Sequence, residues 1–195
     1  MLIGITGNGS KFFVINSGFK EQTKGWPSKP LDKAIQWLKG KPKSWRVADL
    51  GCGEAMLATQ VTQRVDSFDL IAKRPEVVAC NMASLPLPDS CIDAAIFCLS
   101  LMGTDYGSFI EEATRVLKGN GWIWIAEVQS RFVDESGRNV LKSFVKQFQT
   151  LGFIVKRQDT SNSHFVIMEF QRNDSSSDVS TLQWPALRAC QYKKR

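Results

Sequence analysis

Val47-Ala48-Asp49-Leu50 runs into Gly51-Cys52-Gly53-Glu54-Ala55, an apolar strand that stops on two glycines one residue apart. Only glycine lets a backbone turn tightly at this point and pass close to a ligand. The spacing therefore predicts a strand, a tight turn and an entering helix, with a binding crevice at the carboxyl end of the strand. Around it, strand patterns alternate with helical ones. Leu31, Ala34, Ile35 and Leu38 follow Pro30 at helical spacing and give way to Gly40 and Pro42. Strands are expected at 45–50, 65–70, 77–80 and 92–98, the last a nearly continuous apolar run of the kind buried on both faces. Phe109, Ile110, Ala113, Val116 and Leu117 mark a helix closed by a left-handed Gly119, and Val140, Leu141, Phe144, Val145, Phe148 and Leu151 mark another closed by Gly152. Strands at 122–128, 153–157 and 164–171 complete the set, the last two joined by a polar turn that makes them antiparallel. Such alternation implies an α/β fold, Rossmann-like, with a mostly parallel seven-stranded sheet, helices on both faces and an antiparallel C-terminal strand pair.

At roughly 150 residues per domain, 195 residues give one domain with flanks: a segment and first helix over 1–44, a ligand-binding core over 45–172, and a mobile loop with a basic end over 173–195. The formal charge of +6 tilts the chain toward anionic partners without naming one. Its longest apolar run, residues 91–102, contains Asp93 and is too short for a bilayer, which needs about 20 residues. The first ten residues lack a basic and apolar leader pattern, so the chain reads as intracellular, with no membrane partner. Five cysteines without a CxxC pair, and His164 as the sole histidine, argue against a metal cluster, a disulfide framework or a histidine-based nucleophilic enzyme.

A dinucleotide site would carry a third glycine where Met56 stands, which disfavours a nicotinamide cofactor. A ligand without phosphates, gripped by its ribose and its amino-acid end, suits the same turn, and S-adenosylmethionine is such a ligand. Asp69, eighteen residues after Gly51 at the next strand end, can accept both ribose hydroxyls or simply form a turn. Asn81 and Met82, after the third strand, offer an amide and a thioether to an adenine, although a methionine there is also ordinary core. Cys98 ends the fourth strand as a small packing residue more readily than as a nucleophile.

The strand-glycine turn, the strand-end acid and the segment Glu111 to Gly121 leading to Trp122-Ile123-Trp124-Ile125-Ala126-Glu127-Val128 resemble class I S-adenosylmethionine-dependent methyltransferases. Further segments resemble the ribosomal RNA-processing protein 8 (nucleomethylin) family: Gly18-Phe19 with Trp26-Pro27, Phe68-Asp69-Leu70, Phe97-Cys98-Leu99-Ser100-Leu101-Met102-Gly103-Thr104, Ser130-Arg131-Phe132, Asn162-Ser163-His164-Phe165 and Cys190-Gln191-Tyr192-Lys193-Lys194-Arg195. The stretch from Phe97 to Thr104 is far more specific than the glycine turn.

The resemblance implies a nucleolar enzyme of the nucleus that methylates N1 of an adenine in large-subunit ribosomal RNA, in rRNA processing and ribosome biogenesis. It implies Gly51, Gly53, Asp69, Asn81, Met82, Cys98 and Asn16 as cofactor-binding residues, with Cys98, Ser100 and Arg131 as candidates near the methyl group. No catalytic base is obligatory, because adenine N1 has a free lone pair. Asn16 stands, after Ile15, where the family has a Tyr-His pair, and Asn81 replaces an Asp. Trp26 or Phe132 would stack on a base, and Arg131 and Lys193, Lys194 and Arg195 would meet phosphates, although each aromatic is equally good core. The alternative is a cofactor-sensing module in a nucleolar chromatin-silencing complex, with nucleolar protein partners.

Overall fold

The computed structural model describes residues 25–173 and 181–189. The chain divides into two units, Met1–Lys29 with Cys190–Arg195, and Pro30–Ala189; the elements described below all belong to the second. Asn16 and Lys193 to Arg195 lie outside the described residues, as does most of the expected loop over 173–180.

The elements are α1 (Pro30–Lys39), β1 (Arg46–Leu50), β2 (Arg64–Asp69), β3 (Val77–Ala79), β4 (Ile92–Cys98), α2 (Tyr106–Val116), β5 (Leu117–Val128), a short 3-10 turn (Gln129–Phe132), α3 (Leu141–Thr150), β6 (Phe153–Asp159) and β7 (Phe165–Arg172). They form one seven-stranded sheet in the order β3-β2-β1-β4-β5-β7-β6. The first five strands run parallel to one another, and β7 runs antiparallel to both β5 and β6, the architecture expected from the sequence. The order reverses between β1 and β4, and in open α/β sheets the crevice at such a reversal is where ligands bind.

Period-2 alternation divides the sheet into two faces. Ala48, Leu50, Phe68, Phe97, Ile123, Ile125, Val166, Met168 and Phe170 share one core with Phe109, Ile110 and Ala113 of α2 and Phe144 and Phe148 of α3. Phe148 stacks on Phe170 at 3.8 Å between centroids. Helix α1 takes the other face, where its Trp37 donates to Glu169 of β7 at 2.9 Å. Residues 181–189 join the first core through Trp184, whose ring lies against Tyr106, Phe144 and Phe148. Tyr106 donates its hydroxyl to the Pro185 carbonyl.

Two local expectations are corrected. No α-helix follows the glycine turn: residues 53–60 wind as turns closed by three-residue bonds, Ala55 to Cys52 and Gln60 to Leu57, because Ala55 takes φ +51, which a right-handed helix cannot continue through. After α2 the chain enters β5 at once, with Leu117 already extended, and the left-handed residue is Asn120 rather than Gly119. Asparagine tolerates that conformation because its short polar side chain bonds locally. Gly152 closes α3 at φ +80, as expected. His164 sits in the bend just before β7 rather than inside it.

Candidate functional site

The carboxyl ends of β1, β2 and β4 converge on the glycine turn. Gly51 takes φ +75 and Gly53 φ +58, a conformation that favours glycine. A Cβ on Gly51 would collide with that of Ser100 and lie 3.6 Å from the Met82 sulfur, so three segments distant in sequence close on this one backbone position. A Cβ on Gly53 would meet nothing within 4 Å, so the second glycine faces open space. The turn is fastened to β2 by the Gly51 and Cys52 amides, which both donate to the Phe68 carbonyl.

Asp69 completes the cradle. Its Oδ2 accepts from the Gly53 amide at 2.8 Å and its Oδ1 from the Ile71 amide at 3.2 Å, so a side chain only 6 % exposed is fixed with acceptor capacity to spare. The backbone carbonyl of Asp69 accepts from Cys80, tying β3 to the same corner. Asp49, on the same sheet face and 4 % exposed, is a member of the site that sequence reasoning left without a role. Burial, and then the neighbouring Asp69 charge, push its carboxyl up to about 7. The signal was present: an acid one residue from the end of an otherwise apolar strand has few structural uses.

Around this pair the chemistry is quiet. Burial, Asp49 and Asp69 push the Cys52 thiol up to about 12, and burial first of all raises Cys98, so neither is a thiolate near neutral pH. Met82 is buried beside the turn, whereas Asn81 is exposed and its Oδ1 accepts from the Ala83 amide. Ser100 is buried next to Gly51 and its Oγ has no hydrogen-bond partner among the described residues. A buried unsatisfied hydroxyl of this kind costs free energy unless something completes it.

Two expected contacts are corrected. Arg131 is 2 % exposed: it pairs with Glu127 at 3.0 Å and donates to the carbonyls of Leu101 and Arg188, so it meets no phosphate. Glu127 also accepts from the Leu101 and Val128 amides. The pair therefore pins the loop after β4, which carries Ser100, to the end of β5. Phe132, 1 % exposed, packs 5.2 Å from Phe144 and stacks on no base. Trp26 belongs to the other unit.

The arrangement has the features of a cradle for an elongated ligand that is positively charged at one end and rich in hydroxyls. Two buried carboxylates are gathered here, Asp69 adding to the burial that disfavours ionisation of Asp49, a buried hydroxyl has no partner among the described residues, and a glycine backbone leaves open space beside them. S-Adenosylmethionine has this chemistry, with ribose hydroxyls for Asp69 and cationic groups that offset the clustered charge. No group of histidines, cysteines and acids among the described residues could hold a metal ion, and no described helix is long and apolar enough to cross a membrane.

Comparison with known proteins agrees with this geometry. A family model described as "Hypothetical methyltransferase" matches residues 5–195. Ribosomal RNA-processing protein 8 of Arabidopsis thaliana is 43% identical over 94% of the chain and 64% of that protein. The 25S rRNA (adenine(645)-N(1))-methyltransferase of Schizosaccharomyces pombe is 41% identical over 96% of the chain and 61% of that protein. The chain thus spans less than two thirds of the length of these curated relatives. Among solved structures, a Burkholderia thailandensis 1,6-didemethyltoxoflavin-N1-methyltransferase with bound S-adenosylhomocysteine superposes with a TM-score of 0.61 over 89% of the chain and 94% of that chain, at 15% identity. That likeness is one of fold.

Proposed function

The chain belongs to the methyltransferase family of ribosomal RNA-processing protein 8, and from that premise we propose that it binds S-adenosylmethionine at the β1–β2–β4 edge and methylates N1 of an adenine in large-subunit ribosomal RNA. The observation that carries the reading is the Gly51–Gly53–Asp69 cradle closed by Ser100 and Met82. Bound there, the cofactor supplies an electrophilic methyl group.

The residues do the rest by position. Asp69 accepts the ribose hydroxyls, Gly51 and Gly53 let the backbone pass close to the amino-acid end, and Met82 covers the adenine ring with Asn81 at its edge. Asp49 offsets cationic charge. Cys98 and Ser100 line the methyl side, and the family resemblance adds Asn16 as a further cofactor-binding residue. Arg131 acts there as a positioning residue, because its bonds to Glu127 and to the Leu101 carbonyl hold the Ser100 loop. Adenine N1 carries a lone pair and no proton, so in-line positioning replaces general-base catalysis. Residues 45–172 form the catalytic core, with 1–44 and 173–195 as flanks, and the protein works in the nucleus, at the nucleolus.

The test is incubation with labelled S-adenosylmethionine and unmodified large-subunit ribosomal RNA, followed by nucleoside analysis. Label in 1-methyladenosine is the expected result. Cofactor binding with no transfer, under conditions in which a relative is active, overturns it in favour of a sensor of S-adenosylmethionine.

A further inference from the structure

The face of the sheet that carries α1 holds a second chemistry, at the opposite end from the glycine turn. From Pro30 to Arg46 the chain has five lysines and arginines against the single acid Asp32, interleaved with Trp37 and Trp45. Arg46 is tied to Asp66 at 2.5 Å, but Lys33, Lys39 and Lys43 are exposed. Trp37 lies 6.1 Å from Trp45 and 5.9 Å from Trp122 between ring centroids, and all three rings are half-buried. Lys41 sits among them, its amine 3.7 Å from the Trp122 centroid and 4.6 Å from that of Trp37. Burial holds this amine below the ordinary lysine range, with Glu169 opposing that shift and Lys156 adding to it.

Beside this cluster a cleft of about 360 Å³ opens between α1 and strands β5 to β7, lined among others by Lys33, Trp37, Arg157 and Glu169. Glu169 is already held by the Trp37 indole at 2.9 Å and faces Arg157 at 3.5 Å, yet it offers an acceptor to an exocyclic amine. Exposed Arg157 lines the cleft from β6, with exposed Lys156 next to it in the chain.

We infer that this basic, tryptophan-lined face of α1 and its cleft is a docking surface for single-stranded RNA, which it holds while a target base occupies the site at the other end of the sheet. The inference rests on the RNA-substrate reading above. Aromatic faces stack bases without regard to sequence, and lysines track phosphates; an acidic peptide would match the charge but leave the indoles and the Glu169 acceptor unused. The geometry is continuous. The Asp32 end of α1 lies near Cys98 and its Trp37 end reaches Trp122, so the helix runs from site to patch, the two residues about 7.5 Å apart along its axis at 1.5 Å per residue.

The experiment measures binding of a labelled mixed-sequence oligoribonucleotide to the full chain over a range of salt. It compares wild type, the exposed-lysine triple Lys33→Gln/Lys39→Gln/Lys43→Gln, and Trp45→Leu. The triple is expected to flatten the log–log salt dependence by about 2, at about 0.7 per phosphate contact, and to weaken binding roughly tenfold. Trp45→Leu is expected to weaken it about 5- to 150-fold at unchanged slope. S-Adenosylhomocysteine affinity, read by calorimetry, stays at wild-type level and reports an intact fold; should Trp45→Leu fail to fold, the lysine triple decides alone. Unchanged RNA affinity and slope in the triple overturn the inference, as does displacement of RNA by polyglutamate at equal charge. RNA binding through this face with no methyl transfer would remove the activity and leave the docking surface. Methyl transfer with triple-variant RNA affinity unchanged would do the reverse.

Discussion

Asp69 joins two tasks in one carboxylate, since it anchors the Gly53 amide while keeping lone pairs for a ligand. Asp69→Ala should therefore weaken binding of S-adenosylhomocysteine by about 1.5–3 kcal/mol for each charged hydrogen bond lost, measured by titration calorimetry, while circular dichroism remains native. Wild-type affinity would reduce Asp69 to a turn former. Asp49 makes a pH prediction. Its folded carboxyl titrates at about 7 against 3.8 for the free side chain, so between those values the folded state holds a proton that the unfolded chain has released. The ligand-free protein should lose stability as pH rises from about 4 to about 7, by up to about 1.4 kcal/mol per pH unit, and level off above that. Glu127, also raised by burial, acts in the same direction, so the Asp49 contribution is read as the difference between wild type and Asp49→Asn in denaturant titrations across this range. Parallel pH profiles for the two would show that Asp49 does not titrate there.

At the scale of elements, the loop after β4 is held by a buried ion pair rather than by a helix. Arg131→Met leaves Glu127 buried without its partner, which costs about 3–5 kcal/mol, whereas Glu127→Gln/Arg131→Met together should recover much of that loss. Urea unfolding of the two variants measures the difference; equal destabilisation would mean that packing around Leu101 and Arg188, rather than charge, fixes the loop. This pair was hidden in the sequence, where Glu127 and Arg131 look like an ordinary four-residue spacing and Arg131 reads as a free phosphate contact. The strands were legible because burial on one or both faces writes a period of two, or a continuous apolar run, into β1, β4 and β7. The glycine turn and Asp69 were legible because positive φ and a strand-end acid need particular residue types. The missing helix after Gly53 was not, since Glu54-Ala55-Met56-Leu57 has good helical propensity and only the left-handed Ala55 reveals the winding. Phe132 was equally ambiguous, because an aromatic that stacks on a base and one that fills a core have the same composition.

Across the whole of the described sheet, charge is sorted by position. The chain is formally +6, yet Asp49 and Asp69 gather at the carboxyl edge of the sheet, while exposed Lys39 and Lys43, at and beyond the last turn of α1, lie toward the opposite edge. Two kinds of binding should then respond differently to salt. The carboxylates of the cradle are shielded from solvent, and screening acts weakly on buried pairs, whereas exposed lysines feel counterions fully. Because the cradle joins the ends of β1, β2 and β4 at the centre of the sheet, its ligand stabilises the cooperative unit rather than a loop. S-Adenosylhomocysteine at a hundred times its dissociation constant should add about 2.7 kcal/mol, a rise in Tm of roughly 5–10 °C for a chain of this length. Raising the salt from low to several times physiological should leave that rise nearly unchanged while it abolishes RNA binding in the same preparation. A thermal shift that fades with salt in step with the RNA affinity would mean that both ligands meet the same exposed charges, and the division of the sheet into a buried cofactor edge and an open basic face would be wrong.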